Sequence, residues 1–355
     1  MRILQLIDSL QIGGAEQIAV NYANSLASEI DKSYLCTTRI EGELKGKISD
    51  EVGYLFLDKR LTIDVKAIRK LYGFVKKNKI DIIHAHTTSF FLAALIKLCN
   101  RKVKVIWHDH NGNRLSASGK QNRILKYCSY FFHGVIVVNV NLKSWAEARL
   151  KVKQVHYLPN FSVLEKNKMT TVLKGNTGKR IICLANLRYP KNHMLLLKTF
   201  FQLSDLHEDW SLHLIGEDYG DSYSTEIHKF IKANNLNKKV YLYGLRQDIK
   251  EILEQAEIGV LCSTSEGLPL ALLEYGLAKL AVIASNVGDC EKVITNSSEG
   301  LLIPSNDADA LFEALSTYMK NKDLRSHNGE MLYNRIMNDF SKHKVIKSLV
   351  SIYTD

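Results

Sequence analysis

No apolar run in this 355-residue chain approaches the roughly 20 residues a membrane-spanning helix needs; the longest nearly uncharged stretches are residues 90–96 and 135–140. The amino terminus, Met1-Arg2-Ile3-Leu4-Gln5-Leu6-Ile7-Asp8, reads as a short strand and lacks the apolar core of a signal peptide behind a basic start. Both absences point to a chain that neither spans a membrane nor leaves the cell by the signal-directed route. The six cysteines, at 36, 99, 128, 183, 262 and 290, include no Cys-x-x-Cys pair, so a zinc site or disulfide framework is disfavoured. Buried free thiols in a reducing, cytoplasmic compartment are the expectation. There is no internal repeat, no low-complexity tract and no G-x-G-x-x-G, which argues against a dinucleotide cofactor.

Apolar residues make up 46% and charged residues 24%, the composition of a folded soluble protein, and the length suits two domains. The net charge of +11 is lopsided: residues 1–170 hold 27 Lys/Arg against 14 Asp/Glu, and residues 171–355 hold 21 against 23. A basic first half suits an anionic ligand or surface, such as a phosphorylated acceptor, lipid headgroups or nucleic acid. Nucleic acid is the weakest of these, because the basic residues lack interleaved aromatics on which bases would stack.

Short β-rich runs alternate with helical patterns throughout, the signature of βαβ units and parallel sheets. Residues 2–7, 34–37, 53–57, 80–84, 103–107 and 134–138 are predicted strands of a first unit, with helices over 15–28, 65–77 and 90–98. After a polar stretch the pattern restarts, with strands over 180–185, 211–215, 239–243, 258–262, 281–284 and 300–303. Helices over 193–203, 225–234, 249–255, 270–278 and 308–320 separate them. The expected organisation is an α/β domain over 1–165, a linker over 166–179, a second α/β domain over 180–330, and a carboxyl-terminal helix over 331–355 that returns to the first domain. Two Rossmann-like halves facing each other across a cleft would bind ligands beyond the carboxyl ends of their strands.

The most informative passage is Ser263-Thr-Ser-Glu266-Gly267-Leu268-Pro269-Leu270-Ala-Leu-Leu-Glu274. A strand runs into a small-residue loop, and Pro269 suits the first turn of a helix, where its missing N–H is no loss. The free amides of Leu268, Leu270 and Ala271, with the helix dipole, would make an anion site suited to a diphosphate. Glu274 lies about 7–8 Å along that helix from Pro269 at 1.5 Å per residue. Glu266 and Glu274 could therefore grip hydroxyls on either side of the anion. A second passage, Asn186-Leu187-Arg188-Tyr189-Pro190-Lys191, follows the first strand of the second domain, and its cations could neutralise a departing diphosphate.

These motifs resemble the retaining glycosyltransferases of the GT-B fold, specifically glycosyltransferase family four, whose Glu-x7-Glu motif is matched by Glu266 and Glu274. The likeness runs from Gly13-Gly14-Ala15-Glu16 through Tyr243-Gly244-Leu245-Arg246 and Ser285-Asn-Val-Gly288 to Gly300-Leu-Leu-Ile-Pro304. It implies a nucleotide-diphosphate sugar, a UDP-sugar among the candidates, held mainly by the second domain, and a glycan or polyprenyl-diphosphate-linked acceptor held mainly by the first. No cofactor and no metal are implied. On this pattern Glu266 meets the donor sugar, Glu274 the ribose, and the backbone of Gly267 and Leu268 the phosphates. Arg246 and the loop at Gly13 and Gly14 join the donor contacts. The family usually carries an arginine where this chain has Asn186; Lys191 matches, and Arg188 lies two residues beyond. Resemblance also places His110 at the cleft histidine near the reacting sugar, with His108 the alternative if the strand slips by one residue, and His86 in a structural Asp-x-x-His-x-His.

The pairs His84/His86 and His108/His110 could each face one way on a strand and hold a metal, although the further ligands a metallohydrolase needs are not evident. Asp307-Ala-Asp309 spells a metal signature of other glycosyltransferases but precedes a helix that Asp307 would cap. Two basic segments, Lys66 to Lys79 and Arg114, Lys120, Arg123 and Lys126, suit either a solvated face or peripheral docking at the inner face of the membrane. Surface polysaccharide synthesis is the expected setting. Two rivals stand beside transfer: an epimerase or hydrolase on the same scaffold, and a non-catalytic binding partner with a decayed site.

Overall fold

A computed structural model describes residues 1–110, 119–166 and 168–355, with side chains omitted over 119–121. Arg114 and the Lys120 side chain, singled out from sequence, lie outside the described residues. The chain divides into two units, residues 1–161 with 342–355, and residues 162–341. Among the described residues no helix is long and apolar enough to cross a membrane. Five of the six cysteines are buried and Cys99 is exposed, all unpaired.

The first unit is built on a seven-stranded parallel sheet: β1 (Arg2–Ser9), β2 (Lys32–Ile40), β3 (Gly53–Phe56), β4 (Ile82–His86), β5 (Lys104–Asp109), β6 (Gly134–Val137) and β7 (Val155–Tyr157). Their order is β3-β2-β1-β4-β5-β6-β7, a doubly wound sheet whose connections reverse between β1 and β4. Helices cover both faces, so the strands are nearly continuous apolar runs; Ile3, Leu4, Leu6 and Ile7 are all fully buried. Alternation still decides which residue faces which layer. Leu4, Leu6, Ile83, Ala85, Val105 and Trp107 join one core, while Ile7 and Leu35 join the other.

The second unit carries a six-stranded parallel sheet: β8 (Arg180–Leu184), β9 (Ser211–Ile215), β10 (Val240–Leu242), β11 (Ile258–Leu261), β12 (Ala281–Ser285) and β13 (Leu301–Ile303). The order β10-β9-β8-β11-β12-β13 reverses between β8 and β11. The stretch 168–179 clusters with this unit and is tied to it. The Asp248 carboxylate accepts from the amides of Thr170 (2.8 Å) and Thr171 (2.7 Å), and Gln255 Oε1 accepts from the amide of Leu173 (3.0 Å). Beyond residue 320 the chain forms two helices. Lys322–Asp339 belongs to the second unit and Lys342–Thr354 to the first.

The expected strand over 80–84 is displaced to 82–86. Lys79 takes a left-handed backbone (φ 51°), and the amide of Ile80 closes onto Val75 O at the end of the preceding helix, so the ladder starts later. The helix expected over 225–234 begins at Ser222, because Asp221 caps it by accepting from the Ser224 amide (3.0 Å). The strand β7 had no predicted counterpart. Asp307 caps the helix Ala308–Lys320 through the Ala310 amide (2.9 Å), as its position implies.

Candidate active site

In the second unit the loops after β8 and β11 flank the strand-order reversal, where an open α/β sheet leaves a crevice. They are knitted together: the Thr264 amide donates to Pro190 O (2.9 Å), and Lys191 Nζ meets Glu266 Oε1 at 2.6 Å. Ser263 Oγ donates to the same carboxylate oxygen (2.6 Å). Lys191 and Glu266 keep 21% and 11% of their side-chain surface, enough to reach a ligand yet partly desolvated. A third strand end supports this loop from below. The amide of Asp289 donates to Gly267 O (2.8 Å), and Gly288 (φ 59°) sits so close that a Cβ there would lie 2.4 Å from the carbonyls of Glu266 and Gly267. Only glycine meets both the left-handed backbone and that approach.

Pro269 is not in the first turn of the following helix, as sequence suggested, but is its N-cap in extended conformation (φ −72°, ψ 127°), with the helix spanning Leu270–Leu277. Proline has no side-chain acceptor, so the amides at Leu270 and Ala271 are left uncapped at the positive end of the helix dipole. Leu268 is buried and anchors the loop in the core. Glu274, one turn on, is half-buried and accepts from Ser162 Oγ (3.0 Å).

Arg188 is exposed in the same crevice-facing loop as Lys191. Asn186, standing where the family carries arginine, is committed elsewhere. Its Oδ1 accepts from the Glu217 amide (3.0 Å) and its Nδ2 donates to Tyr219 Oη (3.1 Å), tying this loop to the one after β9. Arg246 lies after β10, at the sheet edge with β9 and β8 between it and β11, and its Nη1 donates to Leu245 O (2.8 Å).

In the first unit Gly13 is the N-cap of the helix Gly14–Leu26, directly after β1, with no side-chain cap. A Cβ on Gly14 would meet nothing within 4 Å, so that helix start is open. Beside it the four histidines form two hydrogen-bonded rows. In the first, Tyr353 Oη lies 2.6 Å from His84 Nδ1, and His84 Nε2 lies 3.2 Å from His108 Nδ1. In the second, Gln5 Oε1 lies 2.8 Å from His86 Nε2, and His86 Nδ1 lies 2.9 Å from His110 Nε2. The rows stack, with ring centroids 4.5 Å apart for His84/His86 and 3.9 Å for His108/His110.

Burial holds all four imidazoles below their usual range, His84 and His110 to about 3, so each is neutral at pH 7. The second row then has one proton arrangement. A carboxamide oxygen can only accept, so His86 carries its proton on Nε2 and accepts at Nδ1. His110 must donate from Nε2, which leaves its Nδ1 lone pair at the carboxyl end of β5. His84, His86 and His108 also offer ring nitrogens within 4.8 Å of one another, the outline of a metal site. Those rings already hydrogen-bond to one another and to Tyr353 and Gln5, and a metal would enter only by breaking the rows. His108 Nε2 ends the first row buried, with no partner among the described residues.

Of the residues that sequence reasoning selected, the structure gathers Arg188, Lys191, Glu266, Gly267, Leu268, Leu270 and Glu274 in the linked loops after β8 and β11 and the helix that follows, and Gly13, Gly14 and His110 near the other reversal point. It adds Ser263, Gly288, Gln5 and Tyr353. Gly288 had a signal in the Ser285-to-Gly288 landmark. Tyr353 had none, being more than 260 positions from His84.

Two family models match end to end: glycosyltransferase family 4 over residues 12–166 and glycosyl transferases group 1 over residues 165–335. Among curated proteins, a UDP-Gal:α-D-GlcNAc-diphosphoundecaprenol α-1,3-galactosyltransferase of Escherichia coli is 24% identical over 97% of this chain and 94% of its own length. An α-1,4-N-acetyl-D-galactosaminyltransferase of Campylobacter jejuni, named for a diphospho-undecaprenol-linked acceptor, is also 24% identical, over 92% of this chain and 90% of its own. Among solved structures, Anabaena HepE in complex with UDP and glucose superposes with a TM-score of 0.85 at 17% identity, covering 100% of this chain and 99% of the other. With two doubly wound parallel sheets and two matching family models, the chain belongs to the family-four glycosyltransferases of the GT-B fold.

Proposed function

We propose that this glycosyltransferase moves a sugar from a UDP-sugar to a lipid-diphosphate-linked acceptor, with retention at the anomeric carbon and no metal ion. The observation that carries the reading is the Lys191–Glu266 pair, which joins the two loops at the strand-order reversal beside an uncapped helix start. The donor's diphosphate takes the amides of Leu270 and Ala271. Lys191 exchanges part of its contact with Glu266 for the phosphate as charge builds on the leaving group. Arg188 adds a second cation, and Glu266 turns its freed acceptor capacity to the sugar hydroxyls. Glu274 binds the ribose.

In the transfer step the bond from the anomeric carbon to the phosphate oxygen breaks. The acceptor hydroxyl forms the new bond on the same face, and its proton passes to the departing phosphate oxygen. His110, neutral and with an acceptor nitrogen at Nδ1, orients a hydroxyl of the sugar or acceptor. The two curated relatives named for undecaprenol-diphosphate acceptors support the acceptor class, and the UDP-bound structural relative supports the donor class.

Membrane contact, on this reading, uses the helix Val65–Lys77, which buries Ala67, Leu71 and Val75 and turns Lys66, Arg69, Lys70, Lys76 and Lys77 outward. The test is a screen of UDP-, GDP- and ADP-sugars by thermal shift, followed by turnover on an undecaprenyl-diphosphate sugar in EDTA, with the product's anomeric configuration read by NMR. UDP-sugar binding and EDTA-resistant, retaining transfer are expected. Inversion, or a strict requirement for a divalent ion, would refute the mechanism. A new sugar nucleotide formed without acceptor would identify an epimerase instead.

A further inference from the structure

Lys59 keeps only 7% of its surface, yet its ammonium has no hydrogen bond or ion pair among the described residues. Its backbone amide donates to Thr38 O (2.7 Å), which continues the β2–β3 ladder and sets Lys59 beside Arg39 at the carboxyl edge of the first sheet. Arg39 has no side-chain partner among the described residues either. The nearby carboxylates are engaged locally. Asp8 accepts from the hydroxyls of Thr38 and Thr88, Asp64 accepts from the amides of Arg60 and Ala67, and Asp58 pairs with Arg60. Burial and then the neighbouring Arg39 guanidinium hold the Lys59 ammonium below its ordinary range, against the opposing pull of the Asp8 and Asp64 carboxylates, which lie close without forming an ion pair.

Directly after Lys59 the chain does the opposite of burying its apolar groups. Leu61, Ile63 and Val65 are 67%, 61% and 57% exposed, before the basic face of the helix Val65–Lys77 begins. Two cations that form no ion pair among the described residues, beside a short segment with three bare aliphatic side chains, match a ligand with an anionic head and an apolar tail.

We propose that Arg39 and residues 58–65 form a subsite for a prenyl diphosphate, with Lys59 and Arg39 on the phosphates and Leu61, Ile63 and Val65 against the first isoprene units. This deepens the acceptor part of the proposed function and rests on it, locating where the lipid end of the acceptor is read. The polar head lies at the sheet edge and the tail leaves over the apolar turn, so the sugar is the part free to extend along the carboxyl ends of the strands.

The experiment is calorimetric titration of the full chain with geranyl diphosphate and with inorganic pyrophosphate, in saturating UDP so that the second unit's own anion pocket is filled. Geranyl diphosphate should bind more tightly than pyrophosphate. Lys59→Met should weaken both by about tenfold or more, the loss of a charge-assisted contact, while Lys59→Arg keeps most of the affinity. Arg39→Gln, at a less buried position, should weaken both in the same direction, which covers the case of a misfolded Lys59→Met. The double variant Leu61→Ser, Ile63→Ser should leave pyrophosphate binding unchanged and abolish the preference for the prenyl ligand.

Unchanged affinity in both cation variants would overturn the subsite, as would a prenyl preference that survives the double variant. A third arm uses vesicles of phosphatidylglycerol and phosphatidylcholine without prenyl phosphate. If the variants weaken vesicle binding while the wild type ignores geranyl diphosphate, the turn reads bulk membrane and the proposal falls. Failure of UDP to bind would count against the donor-site reading alone, leaving the Lys59 comparison to be made in its absence.

Discussion

The two units share a doubly wound parallel frame and place their chemistry at the same spot, the carboxyl ends of the strands where the connections reverse, yet they fill it with opposite materials. The second unit sets charges there: Lys191 against Glu266, with Arg188 and Glu274 nearby. The first sets mainly uncharged groups there, with four neutral imidazoles, a carboxamide and a phenol in two hydrogen-bonded rows, and its Asp8 carboxylate is bonded to the hydroxyls of Thr38 and Thr88. On the proposed function, charge suits a site that holds and releases a diphosphate as negative charge accumulates on it. On the same proposal, neutral donors and acceptors suit a site that orients hydroxyls without attracting counter-ions. The backbone supplies position, and the side chains decide which chemistry each position performs.

The sharpest way to break this contrast is to remove the charge. Lys191→Ala should lower transfer about 10²- to 10³-fold, as losing a preorganised stabiliser of developing charge does, while the thermal midpoint stays near wild type. Activity within tenfold of wild type would show that the pair is merely structural.

Acid should find the neutral site instead. The buried histidines have folded-state pKa values far below the unfolded 6.5, so between these values the unfolded chain binds more protons and stability falls as pH falls. Each buried histidine should cost about 2 kcal/mol on going from pH 8 to pH 5. The first unit has four such residues in one array, while the second has His193 and His213, held to about 4 and about 3. Hydrogen exchange corrected for intrinsic rates should therefore show the first unit loosening more at pH 5. Equal loosening would mean that the rows protonate without opposing the fold.

Gly288→Ala should cost about 1–2 kcal/mol for the left-handed backbone alone and should weaken UDP binding further, because a Cβ at 2.4 Å from two carbonyls must displace the Glu266–Gly267 loop. A donor titration reads this directly, and unaltered affinity would show that the loop relocates without losing its function. The smallest effect expected is at Gln5. Long-range proton–nitrogen NMR should report the Nε2–H form for both His86 and His110, preserved in Gln5→Glu, which still accepts, and mixed in Gln5→Leu. An Nδ1–H form at His110 in the wild type would reverse the assigned role of that nitrogen.

Much of the frame was legible in the sequence because short, β-rich apolar runs and helical spacing are local signals. The proposed donor loop was legible because a small-residue turn, a proline and a helix follow one another within a dozen residues. The misplacements were local too. Pro269 fits either the cap or the first turn by composition, and only the backbone angle chooses between them. The strand at Ile80 starts late because a left-handed lysine extends the preceding turn. The illegible part is long-range. Nothing in Tyr353 or Gln5 announces that they end two rows of histidines, and no spacing rule reveals that Lys59 is buried without an ion pair among the described residues. Asn186 shows the converse: sequence marks it as a departure, and the structure explains it as a tie between two loops.

The helix Lys342–Thr354 gives the first unit an unusual order of assembly. During synthesis some 180 residues of the second unit are made between Phe161 and the segment that brings Tyr353 to His84. Until that helix emerges, the nascent first unit has an open slot beside Gln5, Tyr22 and His84, with polar groups wetted that later become dry. A ribosome-stalled chain ending near residue 340 should therefore be caught as a folded but unsealed half, more accessible to protease at β1 and β4 than the same residues in the released protein.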